Sequence, residues 1–401
     1  MKTKISSLLT LSLSLLLAIS TARVAPAAPT VKTITETQKL TDSDGEATYG
    51  FGESVSISGD LAIVGFPDDT ILGFSSGSAS IFAFDGANWN FQAKLTGSDE
   101  VAFDSFGASV AITENMALIG APGDDTLSSD RGAVYVFVFD GTNWTEQAKL
   151  YFAGGAKAGS RFGGHIALSG NTAAISASGY DDIGAVFIFT FDGTAWTEQA
   201  RITPSDGTVG DVFGSGVAIS GDRVLIADYF KDSYTGTAYI FGFDGTTWTQ
   251  EAELRGLDTR LGDRFGSSVA LSGDLALIGA PNKNTCRGAA YIFAFDGTSW
   301  SQQTKLKVSG AQVYDEFGSS VALSDTVAIV GAKQFLDSGK IYQYSLRRGV
   351  WKLRAELVAS DSVGGNSLGT SVALSGNTVL GGADMSFTNE PGAAYVFKIG
   401  R

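Results

Sequence analysis

The chain has 401 residues, of which 17% are charged and 51 are glycine, so charges are scarcer and glycines commoner than in an average domain. The net charge of −14 at pH 7 disfavours nucleic acid as a partner, because an acidic surface repels phosphate groups. A single cysteine excludes an internal disulfide, so the fold must be held together by its apolar core.

The first 27 residues are typical of a secretory signal peptide. Lys2 and Lys4 form a charged start, residues 8–19 form an apolar segment too short to span a membrane, and small residues surround a cleavage point after Ala27. An uncleaved N-terminal anchor is the alternative. Cleavage would leave residues 28–401 as one domain without membrane insertion, and we expect it to be secreted, periplasmic or at the cell surface.

One sequence motif then recurs seven times along the chain. Each copy opens with Phe-Gly, continues as an alternating apolar segment and reaches Gly-Ala-Pro or a remnant of it. The copies begin at Phe51, Phe106, Phe162, Phe213, Phe265, Phe317 and, with leucine in place of phenylalanine, Leu368. A period of about 50 residues is typical of a β-propeller, because one such unit cannot bury its apolar face alone.

Each repeat predicts four short strands. In the fifth repeat, Gly273-Asp274 joins the first two strands and Asp296-Gly297 joins the third to the fourth. Seven copies of four antiparallel strands predict an all-β fold, a seven-bladed propeller. The six tryptophans share one position in the fourth strand, where packing between blades is favoured over a binding role.

The last repeat ends after its third strand, and the missing strand is found at the other end of the chain. Thr35–Leu40 is similar to Thr145–Leu150, and Ile34 stands at the tryptophan position. Residues 33–41 are therefore predicted to complete blade 7 and to close the ring, which removes two open sheet edges.

Only the loop between strands 2 and 3 changes appreciably in length, from 8 to 12 positions. These loops and the connections between repeats must emerge on one face, here termed the upper face, while the hairpin turns lie on the lower face. Length variation marks the binding side of many repeat proteins, although drift in exposed loops gives the same pattern. The candidate ligand-binding residues are its acids and aromatics: Asp68, Asp69, Asp124, Asp125, Tyr180, Asp181, Asp182, Asp228, Tyr229, Phe230 and Tyr234.

Pairs of aspartates five positions apart also recur, just before Phe-Gly. The pairs are Asp99 and Asp104, Asp206 and Asp211, and Asp258 and Asp263. Such carboxylates can bind calcium together with backbone carbonyls, but aspartate also closes turns by accepting a backbone N–H. The turn role is favoured, so no cofactor is expected and calcium is the alternative.

The Phe-Gly…Gly-Ala-Pro repeat resembles the FG-GAP repeat of the seven-bladed integrin α head and, more closely, exported bacterial FG-GAP proteins. The resemblance covers residues 33–401 and implies extracellular recognition or adhesion. Integrin-type calcium loops of the form Asp-x-Asp-x-Asp-Gly are replaced here by two-residue turns, which cannot supply six oxygen ligands. The resemblance therefore does not imply calcium at those turns.

No residue is assigned to catalysis. His165, the one histidine, stands at a position that serine occupies in other repeats, and Cys286 lies in an upper loop. We expect a monomeric, non-catalytic binding or adhesion module for an extracellular protein or glycan. A carbohydrate hydrolase or lyase that uses aspartate pairs and a structural surface or matrix protein are the alternatives.

Overall fold

The computed structural model describes residues 31–43, 50–154, 157–334, 338–361, 364–385 and 391–400. The predicted signal peptide lies outside these ranges. The strand order confirms the seven-bladed β-propeller: seven sheets surround one axis, and each blade contains four antiparallel strands. The strands of a blade follow one another from the axis outwards.

The strands have these bounds. Before the first repeat lie Lys32–Thr35 (β1) and Gln38–Leu40 (β2). Blade 1 contains Ser54–Ser58 (β3), Leu61–Phe66 (β4), Ser78–Phe84 (β5) and Trp89–Leu95 (β6). Blade 2 contains Ser109–Ile112 (β7), Met116–Ala121 (β8), Ala133–Phe139 (β9) and Trp144–Leu150 (β10). Blade 3 contains Phe162–Ser169 (β11), Thr172–Ala177 (β12), Ala185–Phe191 (β13) and Trp196–Ile202 (β14).

The remaining blades repeat this order. Blade 4 contains Gly216–Ser220 (β15), Arg223–Asp228 (β16), Thr237–Phe243 (β17) and Trp248–Leu254 (β18). Blade 5 contains Ser268–Ser272 (β19), Leu275–Ala280 (β20), Ala289–Phe295 (β21) and Trp300–Leu306 (β22). Blade 6 contains Phe317–Leu323 (β23), Val327–Ala332 (β24), Lys340–Arg347 (β25) and Val350–Val358 (β26). Blade 7 contains Ser371–Ser375 (β27), Thr378–Ala383 (β28) and Ala393–Lys398 (β29). Single helical turns, Tyr180–Asp182, Lys231–Tyr234 and Lys283–Cys286, lie in the loops between strands 2 and 3 of blades 3, 4 and 5.

The tryptophans pack between neighbouring blades, as predicted. The Nε1 atoms of Trp144, Trp248 and Trp351 each donate to a glutamine on the fourth strand of the preceding blade, at 2.9–3.0 Å. Phe139 stacks on Trp144 with ring centroids 5.2 Å apart. Such aromatic pairs contribute about 0.5–1.5 kcal/mol beyond the area they bury, and this one joins the third and fourth strands within blade 2. The hydrogen bonds from tryptophan to glutamine join adjacent blades.

The ring closes through the N-terminal segment, as predicted, but the predicted strand 33–41 is divided between two blades. β2 pairs with β29 in blade 7, with Leu40 opposite Ala394. β1 instead runs parallel to β26 as a fifth strand of blade 6. The side chain of Ile34 packs against the apolar cluster between blades 6 and 7, so one segment joins both blades.

This division falls at the site of a bulge in the other blades. In blades 1–6 the register between strands 3 and 4 shifts shortly after the tryptophan position, for example between Glu146 and Ala148. A hairpin holds both sides of that bulge in blades 1–6, whereas no hairpin joins β2 to β29. The residues before the bulge are therefore free to pair with blade 6. Glu36 still accepts the Ser360 N–H at 2.9 Å, as Glu146 accepts that of Ser98.

Near the axis, strands 1 and 2 carry a coupled pair of residues. Ser268 lies opposite Gly279, and its hydroxyl donates to the Gly318 carbonyl of the next blade at 2.8 Å. A Cβ atom on Gly279 would lie 2.0 Å from that carbonyl oxygen, so the position requires glycine. Blade 4 has Gly216 opposite Ala227. Blade 4 therefore has no serine hydroxyl that holds the carbonyl of the next blade by a hydrogen bond, and an alanine stands there in place of the glycine.

Candidate binding face

The upper face is one continuous layer, because each connection between blades contacts the loop of the preceding blade. The Phe103 N–H donates to the Phe74 carbonyl at 2.9 Å, which joins the blade 1–2 connection to the loop of blade 1. Isolated parallel bridges repeat this link around the ring, as between Gly77 and Phe106. Loops and connections therefore present their side chains together.

Three of the predicted ligand-binding carboxylates are buried. Asp69 and Asp124 are 4% and 1% exposed, and each binds a lysine of its own blade, Lys94 at 2.8 Å and Lys149 at 2.6 Å. Asp228 is fully buried and accepts three backbone N–H groups at 3.0–3.2 Å. Burial raises the pKa of Asp228 to about 6. These carboxylates hold the loops in place and are shielded from solvent.

Tyr180 is buried as well. It is 4% exposed, it belongs to the apolar cluster between blades 2 and 3, and its hydroxyl accepts a hydrogen bond from Arg201 at 2.7 Å. The neighbouring Asp181 and Asp182 are exposed, and Asp181 pairs with Lys157. Of this predicted group, only the two carboxylates are open to solvent.

The loop of blade 4 presents three aromatic rings in a row. The centroids of Tyr229 and Phe230 are 4.6 Å apart, and those of Phe230 and Tyr234 are 4.5 Å apart. Arg264 from the next connection lies over Tyr234 at 5.4 Å. Tyr234 is exposed, while the other two rings are half-buried.

Asp68 and Asp125 lie at the surface of the loops of blades 1 and 2. Ser75 donates to Asp68 at 3.3 Å, and Asp125 accepts the Asp130 N–H at 2.7 Å. The candidates are thus distributed over four blades. The structure does not bring them together into one site.

The first aspartate of each pair before Phe-Gly accepts a tyrosine hydroxyl. The tyrosine comes from the third strand of the following blade, and the distances are 2.7–2.9 Å. Burial opposes ionisation of these carboxyls, but hydrogen bonds from lysine and tyrosine outweigh it and lower the pKa of all three. The pairs are Asp99 with Tyr135, Asp206 with Tyr239, and Asp258 with Tyr291. Asp361 and Tyr395 repeat the contact at 2.9 Å.

The second aspartate of each pair closes a turn. Asp104, Asp211 and Asp263 accept the N–H of the residue three positions earlier at 2.7–2.8 Å. In blade 4 the Lys231 Nζ lies 2.9 Å from Asp211 and 3.3 Å from Asp206, and Lys283 binds Asp263 at 2.7 Å in blade 5. An ammonium group thus occupies the space in which a calcium ion would have to bind. Within the described ranges, no three His, Cys, Asp or Glu side chains are arranged to hold a metal ion.

At two positions of the repeat, the charge of the side chain has opposite signs in blades 2 and 4. Four residues after the glycine position of Gly-Ala-Pro, blade 2 has Asp124 and blade 4 has Lys231. Five residues after the tryptophan, blade 2 has Lys149 and blade 4 has Glu253. In blade 2 these two residues form an ion pair, whereas in blade 4 Lys231 pairs with Asp211 and Asp206, and the exposed Glu253 accepts a hydrogen bond from Arg255. The charge at these positions was visible in the sequence, but the partner of each charge was not.

Apart from Tyr234, sequence reasoning missed the exposed apolar side chains of the upper face. Fourteen large hydrophobic residues of the described ranges are exposed, and only Val31, Phe91 and Val350 lie outside the upper loops and connections. The eleven upper-face residues are Ile71, Leu72, Phe74, Val101, Phe103, Leu127, Val209, Tyr234, Leu257, Leu261 and Tyr314. Apolar residues in loops, outside the strand alternation, were the signal that could have revealed them.

Five of these residues form what we term the apolar patch. Ile71, Leu72 and Phe74 belong to the loop of blade 1, and Val101 and Phe103 belong to the connection to blade 2. Phe74 and Phe103 are 66% and 65% exposed, with ring centroids 5.5 Å apart. The backbone hydrogen bond between these two residues holds the two segments side by side.

The candidates considered for catalysis lie where the repeats predicted them. His165 lies in β11 and lines the axis, and Cys286 ends the helical turn of blade 5. Burial raises the pKa of Cys286, which opposes formation of a reactive thiolate. In the described part of the chain, no helix has the length and apolar character of a membrane span.

A family model for the FG-GAP repeat matches seven segments of the sequence, residues 34–82, 89–137, 144–189, 196–241, 248–293, 300–344 and 351–397. The chain belongs to the FG-GAP repeat family. Each match begins at a tryptophan position, and the first begins at Ile34, in agreement with closure by the N-terminal segment. FG-GAP propellers are typical of non-catalytic modules of the binding or adhesion type, and they are typically extracellular or at the surface.

Solved structures show the same fold at low sequence identity. A chain in the crystal structure of a mitotic checkpoint complex is 9% identical with a TM-score of 0.58, covering 97% of this chain and 100% of that one. The Saccharomyces cerevisiae protein Sqt1 is 11% identical with a TM-score of 0.51, covering 93% of this FG-GAP chain and all of its own. At such identities the likeness concerns the fold alone. No curated protein matches the sequence.

Proposed function

We propose that this FG-GAP propeller is an extracellular, non-catalytic module that binds a protein through its upper face, with the apolar patch at the centre of the contact. The observation that carries the proposal is that eleven of fourteen exposed large hydrophobic residues lie on that face. Contiguous apolar side chains rimmed by polar residues are typical of protein interaction sites. A few such anchors supply most of the energy of an interface.

A protein suits the apolar patch better than a glycan does. Ile71, Leu72 and Val101 offer no hydrogen bonds, and a sugar hydroxyl covered by them would lose its bonds to water without replacement. The rings of Phe74 and Phe103 are tilted by 53° to each other, so they do not form a flat platform for a sugar ring. An apolar side chain of a protein makes no hydrogen bonds to water, so it loses none when it is covered by this surface.

We expect basic residues around the apolar centre of the partner. The chain has a net charge of −14, and a cleft of about 320 Å³ beside Phe103 is lined by Glu53, Asp68 and Asp130 together with Arg161. Charge complementarity of this kind increases association rates and excludes acidic partners.

The arrangement of the aspartate pairs weighs against the enzyme alternative. A glycosidase needs two carboxyl groups that face the substrate. Asp211 and Asp263 are 8% exposed and bind the buried Lys231 and Lys283. Export depends on the signal peptide predicted over residues 1–27 and is part of the proposal.

The test is selection of binders from a phage-displayed random peptide library on the immobilised protein. We expect enriched peptides that combine apolar and basic residues. The double variant Phe74→Ser/Phe103→Ser should weaken their binding at least about tenfold, a loss of about 1.4 kcal/mol. Phe91→Ser changes an exposed ring on β6, away from the upper face, and should leave binding unchanged. The proposal would be contradicted if the peptides bound Phe74→Ser/Phe103→Ser as tightly as Phe91→Ser. It would also be contradicted if no peptide were enriched and a parallel glycan array gave the only binders.

A further inference from the structure

A cavity of about 310 Å³ lies on the propeller axis, where the first strands of all seven blades meet. Its wall has two layers. The apolar layer takes a valine or isoleucine from every blade, from Val55 in blade 1 to Val372 in blade 7. The polar layer, here termed the serine ring, consists of Ser54, Ser109, Ser268, Ser320 and Ser371.

The serine ring offers only acceptor oxygens to a ligand. Each of its five hydroxyls donates to a glycine carbonyl of the next blade at 2.6–2.8 Å. A hydroxyl has one hydrogen and two lone pairs, so these oxygens can still accept but no longer donate. Ser267 and Thr370, which also line the cavity, likewise donate to backbone carbonyls. The cavity therefore favours a ligand that brings hydrogen-bond donors.

Two lining residues depart from the small side chains of the other repeats. Glu53 stands where blades 5 and 6 have Ser267 and Ser319, and His165 stands where blade 5 has Ser268. Glu53 supplies the only carboxylate among the described lining residues, which include no lysine or arginine. His165 is open to the cavity, and the desolvating protein wall around it lowers the pKa of its imidazole, which disfavours a positive charge there. The charge of the cavity therefore favours a cation.

We propose that the axial cavity binds the ammonium group of a small alkyl amine, whose N–H donors contact the serine ring and Glu53 and whose methylene chain lies against the apolar layer. An ammonium group has three donors and no acceptor, which complements the ring. The carboxylate adds a charge-assisted hydrogen bond. A calcium ion would need six or more oxygen ligands around it, and the apolar layer supplies none. The cavity contains no residue of the apolar patch and shares only Glu53 and Ala108 with the cleft beside Phe103, and its ligand goes beyond the proposed function.

Binding by this route requires ionised Glu53. The side chain of Glu53 is open to the cavity. Desolvation by the surrounding protein wall and the carboxylates of Asp68 and Asp384 raise its pKa to about 7, against the opposing charge of Lys333. The carboxylate form increases as pH rises through that value, and any positive charge on His165 decreases over the same range. Affinity for the amine should therefore increase from about pH 6 to about pH 8.

The experiment is isothermal titration calorimetry with putrescine at about pH 8 and low salt. The full chain should bind it, and Glu53→Gln should weaken binding at least about tenfold. Glu53→Ser, which copies the residue of blades 5 and 6, should do the same. Asp130→Asn removes an acid that lines the neighbouring cleft but not the cavity, and it should have no effect. Thermal melts establish that each variant is folded.

Two further ligands test whether the alkyl chain alone or a positive charge alone is sufficient for binding. n-Butanol has the alkyl chain without the ammonium group and should not bind, and calcium chloride should not displace putrescine. The proposal is wrong if putrescine shows no binding up to about 10 mM, if Glu53→Gln binds it as well as the unmodified chain, or if calcium or n-butanol competes. Phe74→Ser/Phe103→Ser should retain putrescine binding. Failure of the amine proposal can therefore be distinguished from failure of the proposed protein-binding function, which the peptide selection tests.

Discussion

The Nζ atom of Lys231 lies 2.9 Å from Asp211, and its side chain is 7% exposed. Burial opposes its charge, but hydrogen bonds to Asp211 and Asp206 outweigh that effect and raise the pKa of Lys231. One buried ammonium group thereby fastens the loop of blade 4 to the connection that precedes the blade. Ion pairs thus organise the upper face at the aspartate pairs for which calcium was the alternative interpretation.

Removal of this lysine should leave a buried carboxylate without its partner. We expect Lys231→Met to lower the free energy of unfolding by about 3 kcal/mol, and Asp211→Asn added to it should restore most of the loss. Lys157→Met breaks an exposed pair with Asp181 and should have no measurable effect. Urea unfolding at neutral pH measures all variants, and equal losses for both lysines would refute the prediction.

The Asp124–Lys149 ion pair of blade 2 can be tested by exchanging the charges of its two residues. Asp124→Lys and Lys149→Glu should each destabilise the protein, because each places two like charges in a buried pair. The double variant restores opposite charges at the two positions that form the Asp124–Lys149 pair, so we expect a coupling energy of about 1–3 kcal/mol in a double-mutant cycle. Additive losses would mean that the two side chains do not interact.

The serine–glycine pair near the axis should tolerate only concerted changes. A Cβ on Gly279 would lie 2.0 Å from the Gly318 carbonyl oxygen and 2.3 Å from the Ser268 hydroxyl, so Gly279→Ala alone should cost about 1–3 kcal/mol. Ser268→Gly/Gly279→Ala copies Gly216 and Ala227 of blade 4 and should recover most of that loss. Thermal unfolding gives the comparison, and a double variant no better than Gly279→Ala would disprove the coupling.

Ionisation of Glu100 should lower the stability of the protein as pH rises from 4.5 to about 9. It is 6% exposed, its Oε2 accepts the Gly97 N–H at 2.7 Å, and its Oε1 has no partner among the described residues. Burial raises its pKa from 4.5 to about 9. The folded state therefore holds a proton that the unfolded state has lost, and stability falls as pH rises through this window, by at most about 1.4 kcal/mol per pH unit. Glu100→Gln should flatten that slope in urea titrations, whereas Glu114→Gln, at an exposed turn, should not.

Calcium should leave the melting temperature unchanged. The spaces between the aspartates of blades 4 and 5 are filled by Lys231 and Lys283, and an ammonium group and a divalent cation cannot share them. A bound ion at about a hundred times its dissociation constant would add about 2.7 kcal/mol. Melts in calcium and in EDTA make the comparison, and a clear upward shift in calcium would show that the ion binds elsewhere or displaces a lysine.

The fold could be predicted because its information is local and repeated. Spacing from Phe51 to Leu368 defined the blades, and the likeness of Leu40 to Leu150 located the missing strand. The division of residues 33–41 could not be predicted in this way, since it depends on a bulge and on the absence of a hairpin in blade 7. Sequence similarity assigns a residue to a position, but it does not report which strand edge is free to accept it.

The candidate site was predicted less well, for a different reason. Asp124 and Tyr180 look like surface residues in a loop, but the lysine and arginine that bind them, Lys149 and Arg201, lie on the fourth strand, more than twenty residues later. Burial of a charge depends on such distant partners. Phe103 went unnoticed because a single apolar residue in a turn carries no periodic signal.

The division of the N-terminal segment also decides how the molecule would respond to tension. β2 and β29 are antiparallel, with Gln38 opposite Val396, so the chain enters and leaves this pair at the same end. Once β1 is detached from β26, a pull between the two chain ends would load the three residue pairs of the β2–β29 ladder one at a time instead of all at once. Blade 7 is therefore the place at which the ring would open under force, while the six blades closed by hairpins remained intact.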